Sequence, residues 1–270
     1  MAYQGYSVVA ARSALSAAAG ARLAAVAFAI AAATAGSPVS LAGERRPPDI
    51  VDARTVIPDL VVDMRYLTAR NFVGRPIAGY RAPVCLLTKR AAQALARVEE
   101  ELKPNGLGLK VYDCYRPQRA VDEFVAWGAD LGDQKMKPEF YPGVDKSNLF
   151  RNGYIASRSG HSRASTVDLT IVPLAAPEPE IPATAPILAC APVWSARLPD
   201  ASIDMGTGFD CFGALSHTGN GTIGVQQAAN RKLLKSLMAK EGFINNVHEW
   251  WHYTLAYEPY PGTYFDFPVE

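Results

Sequence analysis

Apolar positions recur at helical spacing between residues 88 and 102, where Ala91, Leu95, Val98 and Leu102 share one face. Thr88 is placed to cap this helix, and Pro104-Asn105-Gly106 to end it. Leu107 to Tyr112 then reads as a strand. Pro117 suits the first turn of a second helix carrying Val121, Phe124 and Val125. A third helix is expected over Val225 to Lys240, with Leu233, Leu234, Leu237 and Met238 inward and Gly242 as its stop. Strand-like runs cover Asp59 to Tyr66, Thr166 to Val172 and Val247 to Leu255. Helices and strands do not alternate in a βαβ rhythm. The expectation is therefore a single α+β domain, with a mainly antiparallel central sheet and flanking helices.

Two segments break the pattern. Arg12 and Arg22 precede an alanine-rich apolar run from Leu23 to Ala33, followed by Ala33-Thr34-Ala35. Those are the parts of a secretory signal, so residues 1–35 are read as a leader, with Ser40-Leu41-Ala42 as a second possible cut. Residues 36–50 read as a linker and 51–270 as the folded domain. The apolar run is short for a bilayer span and no later segment is longer, so the mature protein is expected to have none. The second break is 173–200, where Pro173, Pro177, Pro179, Pro182, Pro186 and Pro192 exclude regular structure. A surface excursion is the plainer reading of it, and a lid the alternative.

Composition adds two constraints. Of 270 residues, 49% are hydrophobic and the formal net charge is +1, which gives no basic field for nucleic acid. Four cysteines (Cys85, Cys114, Cys190 and Cys211) suit two disulfides in an exported, periplasmic or secreted protein. Three connectivities are open. The expected one joins Cys85 to Cys114 and Cys190 to Cys211, tying down the proline-rich segment. No C-x-x-C pair exists to suggest a thiolate metal site.

The candidate chemistry is split along the chain. Ser159-Gly160-His161 leads to Asp168, and far downstream stands His248-Glu249-Trp250-Trp251-His252. Two imidazoles and one carboxylate are what a catalytic zinc takes from a protein, leaving one position for water. Asp168 sits among Val167, Leu169, Ile171 and Val172, where an unpaired carboxylate is costly and a cation would relieve it. Glu249 is placed to act as base, but residues three apart in a regular strand face opposite ways. It can share a site with His252 only through a bulge or short turn. This is not the helical H-E-x-x-H pattern. His248 reads as structural or exposed, and His217 as a surface residue. Arg116, held extended by Pro117, stands at the lip of the sheet where a guanidinium can meet an oxyanion. Asp204 and Asp210 flank a glycine-containing loop; such a carboxylate can clasp an ammonium group or make an Asx turn.

These pieces resemble one family, the zinc D-alanyl-D-alanine dipeptidases of the vancomycin-resistance type. The matching segments are Asn71-Phe72-Val73-Gly74, Tyr112 through Ala120, Ser159 through Thr170, Asp204 through Asp210, and Glu249-Trp250-Trp251-His252, in family order. The resemblance implies one zinc per chain on His161, Asp168 and His252, with Glu249 as general base and acid. It implies that Arg116 stabilises the tetrahedral intermediate, Asp204 holds the ammonium of a small dipeptide substrate, and Ser159 lies near the substrate. The implied fold is the α+β one shared with D-Ala-D-Ala carboxypeptidases and the hedgehog signalling domain. Two departures stand out. Ala164 and Thr166 replace the family's glycine and small residue, so the metal loop is expected to manage with negative φ at 164. The prolines of 173–200 look like an insertion. The rival readings are a zinc carboxypeptidase or endopeptidase acting on peptidoglycan stems, and a non-catalytic zinc-binding module. Oligomeric state is not legible.

Overall fold

The computed structural model describes residues 45–182, 184–191 and 194–270. The expected leader, both candidate cut sites, most of the linker and Pro192 lie outside the described residues. Three short strands and one longer helix open the fold: β1 (Ile50–Asp52), β2 (Val61–Val62), β3 (Leu86–Thr88) and α1 (Lys89–Leu102). Thr88 caps α1, its Oγ1 accepting the Ala91 N–H at 3.3 Å. The buried face of α1 includes Ala91, Leu95, Val98 and Leu102, as the spacing required. Gly106 takes φ +69° and turns the chain into β4 (Leu107–Asp113).

After β4 come α2 (Gln118–Ala129), with Pro117 just outside it at the cap, and the single turn α3 (Lys137–Phe140). Then follow β5 (Thr166–Pro173), α4 (Val225–Lys240), β6 (Phe243–Asn245) and β7 (His252–Leu255). The main sheet has the order β2-β4-β5-β7-β6, and β1 pairs antiparallel with β3 in a separate ribbon.

The sheet is mixed, which corrects the expected mainly antiparallel arrangement at one edge. β2 runs parallel to β4 because the chain crosses through β3 and α1 before returning beside it. The other three pairings are antiparallel. Two expected strands are shorter than their sequence pattern. Only Val61–Val62 of 59–66 pairs; a 3-10 turn over Arg65–Leu67 then swings Tyr66 into the core. Only His252–Leu255 of 247–255 is strand, because residues 246–251 form turns. In α4, Leu234 and Met238 are buried and Leu237 partly so, but Leu233 is exposed. Arg231 takes the inward place instead, donating to the carbonyls of Met205, His217 and Leu215 at 2.6, 2.7 and 2.9 Å.

Both expected disulfides are present, Cys85–Cys114 and Cys190–Cys211. The proline-rich segment is a strap without helix or strand up to a 3-10 turn at Trp194–Ala196, among the described residues. It is docked rather than free. Glu178 meets Lys110 of β4 at 2.6 Å, Arg70 donates to the Ala185 carbonyl at 3.1 Å, and Asp200 accepts from the Tyr112 hydroxyl at 2.6 Å. No helix among the described residues is long and apolar enough to cross a membrane.

Candidate active site

Cross-strand register assembles the site. Asp168 of β5 lies opposite His252 on β7 and opposite Asp113 at the end of β4, where a bulge follows Val111. His161 comes from a 3-10 turn, Gly160–Arg163, opened by Ser159, whose Oγ accepts the His161 N–H. The turn closes on Ala164, at φ +57°. This corrects the expectation of negative φ. The Ala164 N–H donates to His161 O at 3.0 Å and its carbonyl accepts Thr88 N–H at 2.7 Å, fixing a left-handed alanine that costs roughly 1–2 kcal/mol.

Ligand-type atoms of three residues converge. His161 Nε2 lies 3.3 Å from His252 Nδ1 and 3.2 Å from Asp168 Oδ2, and His252 Nδ1 lies 3.0 Å from Asp168 Oδ1. A tetrahedral ion with arms of roughly 2.0–2.1 Å needs donors about 3.3 Å apart, so the spacing of the two imidazole nitrogens fits, with one Asp168 oxygen beside each. His161 Nδ1 donates to the Cys114 carbonyl at 2.6 Å, which leaves Nε2 as the free lone pair. Asp168 Oδ1 is buried with the His252 ion pair beside it but no hydrogen bond, a cost that a cation removes. His161, Asp168 and His252 can therefore hold a metal ion. Burial alone would raise the Asp168 pKa, but the two imidazoles hold it well below the ordinary carboxylate range. Burial opposes the His252 charge, yet Asp168 outweighs it and raises that pKa.

Glu249 reaches the cluster through the turns preceding β7. Its N–H donates to Asn246 O, and the His252 N–H returns to Glu249 O at 3.3 Å. The Glu249 carboxylate accepts from Asn246 Nδ2 at 3.0 Å and stands 3.5 Å from His252 Nδ1. Burial raises its pKa above the usual glutamate value, against the pull of His252. Arg116 is fixed by Asp113, with Nε and Nη2 at 2.9 and 2.8 Å from Oδ2, and lies over the Tyr66 ring. Its Nη2 is 3.6 Å from Asp168.

A cavity of about 170 Å³ opens on this cluster, lined by Arg116, Ser159, Asp168, Asp210, Glu249 and His252 among others. Asp204 is not brought to it. Its carboxylate caps the Gly206 N–H at 2.8 Å and binds Arg197 and Gln227, as an Asx-turn residue does. Asp210, at the other end of the same loop, is buried in the cavity wall and accepts the Tyr66 hydroxyl at 2.7 Å. Burial, with Asp168 nearby, raises its pKa well above the carboxylate range. His217 and His248 stack on each other, with ring centroids 4.9 Å apart, outside the cluster. A larger cleft of about 700 Å³ lies beneath the strap. It holds none of the converging groups, and the charges around it pair among themselves, Lys110 with Asp63 and Glu178, and Arg65 with Asp63.

The chain matches the family model described as D-ala-D-ala dipeptidase over residues 46–176 and 199–270. The chain belongs to that family. Dipeptidases of this name from Streptomyces coelicolor, Enterococcus faecium and Escherichia coli are 41%, 36% and 30% identical to it. Each alignment covers 77% of this chain, and 91%, 92% and 84% of the respective relative. The dipeptidase family model passes over residues 177–198, most of the strap. Sequence reasoning passed over Asp113, which orients Arg116 and accepts the Tyr80 hydroxyl at 2.6 Å. Its place three residues before Arg116, in a strand otherwise buried and largely apolar, was the available signal.

Proposed function

We propose that this enzyme hydrolyses D-alanyl-D-alanine at a single zinc site held by His161, Asp168 and His252. The observation that carries the reading is the convergence of His161, Asp168 and His252, with the buried Asp168 Oδ1 making no hydrogen bond, beside a small cavity that Glu249 also lines. Two nitrogens and one carboxylate oxygen suit zinc. A zinc ion bound there supplies a Lewis acid and lowers the pKa of water. Glu249 takes the proton from the attacking water and returns it to the leaving amine. Arg116, held rigid by Asp113, meets the negative charge that grows on the carbonyl oxygen. Asp210 takes the anchoring role first expected of Asp204: a substrate ammonium beside it offsets the cost of a buried carboxylate. Ser159 lines the same cavity.

The cavity volume favours a dipeptide. About 170 Å³ falls below the roughly 300–1,000 Å³ of sites for drug-sized ligands, and a peptidoglycan stem needs an open groove. The leader-like segment and two disulfides support action outside the cytoplasm, on dipeptide released from wall material. Purified protein should release D-alanine from D-Ala-D-Ala, stop with chelator and resume with zinc. Cleavage of muropeptide stems alone would sink the dipeptidase reading.

A further inference from the structure

The strap meets the loop that carries Asp210 at Cys190. Cys190, the strap's cysteine, is bonded to Cys211, the residue directly after Asp210. Residues 177–198 lie outside the stretches that match the family model, so this staple comes from a part of the chain the family pattern does not include. Asp210 itself stands at φ +55°, a left-handed conformation that a non-glycine residue keeps only where its surroundings hold it.

Those surroundings converge on Cys190. Beyond the disulfide, the Cys190 carbonyl accepts the Gly208 N–H at 2.8 Å, so both ends of 208–211 are tied to one strap residue. Cys190 is in turn fixed by its own N–H to the Glu139 carbonyl at 3.0 Å, at α3. Between the two ties, Phe209 stacks on Tyr112 with centroids 4.6 Å apart and meets Trp251 at 5.6 Å. Asp210 then points its carboxylate at Tyr66, whose ring carries Arg116. Neither Cys190 nor Cys211 lines the cavity.

We infer that the Cys190–Cys211 bridge is a positioning device for substrate binding: it locks the left-handed turn that presents Asp210 to the ammonium group of the dipeptide. The inference rests on Asp210 as the ammonium anchor. A loop released from the staple visits other conformations, and apparent affinity falls with the competent fraction. Binding of the free amine should suffer, while the hydrolytic groups, held by other elements, should not.

The test is a Cys190→Ala/Cys211→Ala double variant, compared with wild type and Asp210→Asn. Loss of the bridge is expected to raise KM for D-Ala-D-Ala about tenfold, as for a competent fraction near a tenth, with kcat within about twofold. Bound zinc per chain should be unchanged. N-propionyl-D-alanine, which is the same dipeptide with hydrogen in place of the amino group, should inhibit variant and wild type equally. Asp210→Asn in the bridgeless background should add less than it does alone. An unchanged KM overturns the inference, and so does equal weakening of the amine-free inhibitor, which marks a merely structural bridge. If Asp210→Asn in the wild-type background leaves KM unchanged, it is the anchor assignment that has failed. Should the double variant not fold, the same KM and inhibitor measurements on wild type before and after mild thiol reduction decide, with the opened bridge identified by mass spectrometry.

Discussion

At the scale of single residues, chemistry was easier to read than orientation. His161, Asp168, Glu249 and His252 announce themselves by type and by the apolar company of Asp168. The resemblance pointed to Asp204, whereas it is Asp210 that lines the cavity. The difference depends on one positive φ at Asp210 and on which loop end meets Gln227 rather than Tyr66. Ala164 shows the same limit, because a local steric preference yielded to two backbone hydrogen bonds. Glu249 yields the sharpest prediction. A base works as the carboxylate, so activity is lost as pH falls through its pKa, and burial has raised that pKa above the ordinary 4.5. The acid limb of kcat/KM should therefore lie above pH 4.5, with zinc still bound across it. Asn246 Nδ2 donates to the charged form and lowers the pKa. Asn246→Ala should shift the acid limb upward, and a limb that stays in place would mean another group sets it.

At the scale of elements, the amphipathic stretches were legible and the short ones were not. α1 and α4 fall where periodicity put them, since a buried face repeated over three or more turns leaves a pattern. β1, β3 and β6 have three residues each, too few for an alternation to show. The short turn that Glu249 needs to share a site with His252 is present at 246–251, but the strand pattern ran through it because Trp250 and Trp251 are strand-forming residues whose bulk fills the core instead. Thr88 links this scale to the site. Its Oγ1 caps α1 and pairs with Ser165 Oγ at 2.9 Å, in full burial, at the start of the strand that carries Asp168. Thr88→Ala removes the cap and strands the serine hydroxyl, a cost of roughly 1–3 kcal/mol. Urea unfolding should show a lower midpoint at unchanged slope, with Thr88→Ser retaining most of the stability. A midpoint equal to wild type would refute the cap's role.

At the scale of the whole molecule, the α+β class followed from element order, but the mixed sheet did not. A parallel edge strand of two residues depends on how the crossover closes, which no local pattern records. The five-stranded sheet brings Asp113, Asp168 and His252 side by side on three adjacent strands, so the site's geometry belongs to the fold and not to a flexible loop. One consequence is that metal binding and stability are linked. Without the ion the buried Asp168 Oδ1 makes no hydrogen bond and has only the His252 imidazole beside it, whereas a bound ion gives it a ligand bond. A ligand that binds only the folded state at 100–1,000 times its Kd adds about 2.7–4.1 kcal/mol, or roughly 5–15 °C in Tm for a domain of this size. Chelated protein should therefore melt lower by about that amount. It should nonetheless keep its far-ultraviolet circular dichroism at 25 °C, because two disulfides and the core do not depend on the ion. Zinc should restore Tm and dipeptide hydrolysis in parallel, with one equivalent per chain at the plateau. Recovery of Tm without hydrolysis would place the stabilising ion somewhere other than beside Glu249. Asp168→Asn separates the cases, since it should abolish the zinc-dependent rise in Tm.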